Sequence, residues 1–140
     1  MKSLICGLSM LALIVAGGLA SRPAGAADES VTPEVVMKKL FAGKTSALST
    51  VKGALKTGTP DWAKIKKAGE TFAKYGPELG KNDPPKGGKA SWDKLTKALA
   101  DASKELDGAA KKEDLKSTND VVKKLGASCK ACHTAHKPED

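Results

Sequence analysis

Residues 112–137 read KEDLKSTNDVVKKLGASCKACHTAHK, and the spacing inside this stretch decides the fold. Leu115, Thr118, Val122, Leu125, Cys129 and Cys132 follow one another at alternating steps of three and four, with charged and polar residues between them. That period places all six on one face of an amphipathic helix, which opens near Lys112 to Asp114. The rhythm that marks the core face runs directly into both cysteines, so their sulfurs are expected to point inward.

Working upstream, the same rhythm recurs three times. Ser91 is a candidate N-cap, followed by Trp92, Leu95, Leu99, Ala102 and Leu106 before Gly108. Residues 77–90, with Asn82-Asp83-Pro84-Pro85 and Gly87-Gly88, are expected to be an irregular loop. Thr59-Pro60-Asp61 is a helix start, and Trp62, Ile65, Gly69, Phe72 and Gly76 form its stripe until Gly76-Pro77 ends it. Thr32-Pro33-Glu34 is another start. Met37, Phe41, Lys44, Leu48, Val51 and Leu55 then predict one long first helix, closed by Gly58 and interrupted on its apolar face only by Lys44. No segment alternates as a strand would. The fold class is all-α, an antiparallel up-down-up-down four-helix bundle.

Residues 1–26 read as a cleavable secretory signal: Lys2, an apolar run from Leu4 to Leu19, then Ala24-Gly25-Ala26 before the cut. The run is short for a bilayer and Arg22-Pro23 ends it, so no stable membrane anchor is expected. Residues 27–140 then form one small domain, placed in the periplasm. Removing Lys2 and Arg22 takes the net charge from +8 to +6. The lysines are spread along the chain rather than gathered in a stripe, which speaks against nucleic acid and for an acidic protein partner. A domain this short, with 4% aromatic residues, buries only a modest core on its own. A bound apolar macrocycle would supply the missing interior.

Cys129-Lys130-Ala131-Cys132-His133 has the spacing of a covalent haem attachment site. Thiols at i and i+3 share a helix face and can add to the two haem vinyl groups, while the next imidazole reaches the iron. Competing readings are a zinc site, a reactive dithiol and a structural disulfide. Zinc would need a closed set of four ligands, with His136 the only ready addition. A thioredoxin-like dithiol would sit at the start of a helix among strands.

With that motif near the end of a four-helix pattern, the chain resembles the class II c-type cytochromes, the cytochrome c′ family. The resemblance includes Trp92 opening the third helix and Leu125-Gly126-Ala127-Ser128 before the first cysteine. It implies one haem c on Cys129 and Cys132, with His133 as an axial ligand. In one branch of that family the far side of the iron is open and binds small gases; in another a methionine from the first helix makes the iron low-spin. Met37 is the only methionine beyond the signal segment, starts the core stripe of its helix, and matches that methionine's position. Up-down topology also puts it at the depth of His133. A plain core methionine is the competing reading.

Lys44 either meets a haem propionate or reaches to solvent. Lys137 stands where the family often carries a basic residue beside the proximal ring, more commonly arginine. His136 occupies a position usually aromatic there and is expected to be a surface histidine. No Ser-His-Asp set, paired-acid pocket or nucleotide loop is present, so the chain is read as a single-electron carrier and not an enzyme. A gas-binding cytochrome is the alternative, and the bundle is compatible with a homodimer.

Overall fold

The computed structural model describes residues 31–138 apart from Thr57, so the signal segment lies outside the described residues. Among them are five α-helices and no strand: α1 Pro33–Leu40, α2 Ala47–Lys56, α3 Trp62–Tyr75, α4 Lys89–Lys111 and α5 Leu115–His136. A 3-10 helix, Pro77–Lys81, lies between α3 and α4.

The caps explain the starts. Thr32 accepts the Val35 N–H (3.4 Å), with Pro33 at the first helical position. Asp61, rather than Thr59, caps α3 by accepting the Lys64 N–H at 3.1 Å. Asp114 does the same for α5, accepting from Ser117 at 3.0 Å. Gly88 is the N-cap residue of α4, so Ser91 lies inside its first turn instead of before it.

The long first helix is broken. Gly43 adopts φ +84°, a left-handed conformation that an α-helix cannot continue through. Its carbonyl accepts hydroxyls from Ser46 and Ser49, both at 2.9 Å, and Ser46 in turn accepts the Ser49 N–H. Hydroxyl side chains so placed compete with helical backbone bonds and restart the chain as α2. The break shifts the phase of the apolar face. Val36 and Leu40 are buried on α1, and Ala47, Leu48, Val51 and Ala54 on α2. Lys44 falls in the break and is exposed. Its presence in an otherwise apolar stripe is thereby explained.

The other helices match their stripes more closely. Ile65 and Phe72 of α3 are fully buried, as are Leu106 of α4 and, to within 1%, Leu125 of α5. Packing runs from α2 to α3, α3 to α4 and α4 to α5, with α1 against α3. At the α3–α4 seam Gly69 lets the backbones approach; a Cβ there would lie 3.1 Å from the Asp107 Cα. Phe41 meets Phe72 edge-on at 5.7 Å, tying the start of the break to the core.

The stretch expected to be irregular is partly ordered by name. Residues 77–81 form the 3-10 helix, begun by Pro77 at its first position. Asn82 then donates to the carbonyls of Val31 (3.0 Å) and Glu78 (2.9 Å), while the Trp92 indole donates to the Asn82 carbonyl at 2.7 Å. This connection is therefore anchored to the residues before α1 and to the first turn of α4.

Candidate haem-binding site

The last turns of α5 carry the attachment motif. Cys129 and Cys132 are both half-buried and unbonded to each other. The Cys129 thiol donates to the Leu125 carbonyl at 3.5 Å, and Cys132 packs against the hydrophobic core. The inward direction expected from the stripe is thus observed for Cys132 and begun at Cys129. Burial, with the neighbouring Cys129 adding to it, pushes the Cys132 thiol up from its ordinary pKa.

A cavity of about 650 Å³ opens beside the motif. Pro33 and Met37 of α1 form one side, Cys132, His133 and His136 of α5 another, and Leu79, Pro85 and Trp92 a third. Lys38 and Lys137 also line it. The volume falls within the range of about 300–1,000 Å³ that bound cofactors occupy. Met37 and His133, far apart in sequence, face the same space. Lys137 joins them. Lys44 does not: it lines a separate cavity with Thr45, Ser49 and Lys64.

His136 is the residue the sequence reading placed wrongly. It is buried, only 2% exposed, not a surface histidine. Nδ1 lies 2.6 Å from the Lys86 carbonyl and Nε2 lies 3.0 Å from the Ser91 hydroxyl. A carbonyl can only accept, so Nδ1 carries a proton. Both nitrogens are engaged, which leaves His133 as the histidine with a ring available to a metal. The signal for His136 was present in the sequence, because the stripe Leu125, Cys129, Cys132 extends by one more step of four to residue 136. Among the described residues, no three or more His, Cys, Asp and Glu side chains are grouped to hold a metal ion, so a closed zinc shell is not assembled there.

Among the described residues the fold is all-helical, and its final helix carries two cysteines and a histidine, of which Cys132 and His133 line the cavity; this is an arrangement suited to a covalently held haem. Comparison agrees: residues 88–137, all of α4 and α5 with the attachment motif, match the family described as Cytochrome C′. The match spans 50 of the 140 residues, so over α4 and α5 the chain is similar to the class II c-type cytochromes. No curated protein and no solved structure matches it otherwise. Proteins of the family carry one covalently attached haem c and are generally exported to the periplasm. No described helix is long and apolar enough to cross a membrane.

The residues present fit that group. Two thiols stand one helical turn apart, an imidazole follows them, and the adjoining cavity is walled by proline, leucine, tryptophan and a thioether. Cys129 and Cys132 would hold the haem, and His133 would bind its iron.

Proposed function

We propose that the protein is a periplasmic single-electron carrier in which Met37 and His133 would both bind the haem iron. The observation that carries this reading is that Met37 and His133 line one cavity from two different helices. When bound, the haem supplies a one-electron couple whose potential a thioether ligand raises. The chain supplies everything around it. Cys129 and Cys132 would hold it, His133 and Met37 would bind its iron, and Leu79, Pro85 and Trp92 contribute an apolar wall. Lys38 and Lys137 against Glu34 leave the cavity lining with a small basic excess, which suits docking to an acidic partner.

Met37→Ala tests the assignment. If the thioether is a ligand, the reduced wild type is low-spin and resists carbon monoxide, whereas the variant turns high-spin and binds it. The fold should survive, since Met37 is only partly buried and the loss falls at the low end of about 2–5 kcal/mol for large-to-small changes. A wild type that binds carbon monoxide as readily as the variant would transfer the protein to the gas-binding reading.

A further inference from the structure

We propose that His136 is a positioning residue for the haem cavity: its imidazole holds the segment 85–92, whose Pro85 and Trp92 line the cavity, against the helix that carries the attachment motif. This inference rests on the haem assignment above and goes beyond it. His136 lies on α5, three residues after His133, and bridges to one point of the connection before α4 and one in the first turn of α4. Those points are the Lys86 carbonyl at 2.6 Å and the Ser91 hydroxyl at 3.0 Å. Each is the immediate neighbour of a cavity-lining residue, Pro85 beside Lys86 and Trp92 beside Ser91. The ring also stands edge-on to Trp92 at 5.2 Å and 75°. One side chain therefore fixes both ends of the wall to the element that bears the iron ligand.

A separate observation shows how closely that wall is seated. Gly87 has φ +80°, and a Cβ added to it would lie 2.6 Å from the Ala135 carbonyl and 3.1 Å from His136 Nδ1. Only glycine lets the chain pass so near the last turn of α5. A ring at 2% exposure whose two nitrogens both have partners is costly to disturb, because removing it strands the groups it satisfies. The apolar shell around a metal centre governs water access and thereby its potential. Loosening the clamp admits water, which favours the more highly charged ferric iron and lowers the potential.

The test uses the exported holoprotein and two variants acting from opposite sides. His136→Phe keeps an aromatic ring against Trp92 and removes both hydrogen bonds; Ser91→Ala removes one from the other partner. Covalent haem per chain should stay at the wild-type level in both. The reduction potential should fall in both, more in His136→Phe, by up to about tenfold in the redox equilibrium, or about 59 mV for one electron. His136→Asn, which restores a donor towards the Lys86 carbonyl, should recover part of the change. Unaltered potentials in His136→Phe and Ser91→Ala, even with lower melting temperatures, would reduce His136 to a packing residue and overturn the proposal. If His136→Phe fails to fold, Ser91→Ala decides by the same criterion. A wild type without covalent haem would instead remove the haem assignment, and this inference with it.

Discussion

Cys129 and Cys132 occupy successive turns of one helix face, but of these two candidate anchors only Cys132 lines the cavity. Replacing either with Ala should lower the haem retained after acid-acetone extraction. Full retention in both variants would exclude thioether attachment. These residues were legible in the sequence because five consecutive positions carry the chemistry and the helix period gives its direction. Met37 was legible as a cavity residue for a related reason, being the one methionine on the stripe of the first helix. Lys44 and His136 were harder. Reading Lys44 required knowing that its helix is broken, and reading His136 required continuing a stripe past His133, the residue that completes the motif.

At the scale of elements, glycines decide where helices stop and how near they come. Gly43 holds a left-handed turn that an L side chain enters at a cost of about 1–2 kcal/mol, so Gly43→Ala should lower stability by roughly that amount in denaturant unfolding. Gly69→Val should cost about 1–3 kcal/mol by forcing α3 off α4, given the 3.1 Å approach of a Cβ to Asp107. A Gly69→Val protein as stable as wild type would mean the seam is looser than the geometry indicates. Four helical rods with an apolar face each could be read from periodicity. The break between α1 and α2 could not, because the three-four spacing passes across it and only the competition from Ser46 and Ser49 interrupts the backbone. The 3-10 turn after α3 was hidden for the opposite reason, its proline and glycines reading as loop.

Across the whole molecule, lysine exceeds acid, and many of the acids are already paired along helices, as in Lys89–Asp93, Lys97–Asp101 and Lys116–Asp120. These exposed pairs place lysine before the acid, the weaker order on a helix, and serve solubility more than stability. The excess positive charge should steer the protein to an anionic partner. Association rates with its redox partner should therefore fall as salt shortens the screening length to about 10 Å and below. A rate indifferent to salt would point to apolar docking. The cavity has a different consequence at this scale. One side comes from Pro33 and Met37, near the beginning of the described chain, and another from Cys132 to Pro138, near its end. Met37 and Cys132 stand far apart in sequence, so the cavity is built by a long-range closure, the kind that loop entropy makes slow. If the haem is held as proposed, its attachment would need α5 alone, whereas a sulfur from α1 would reach it only once α1 and α5 face each other. Binding by Met37 would then be an internal gauge of folding, lost when the two helices part.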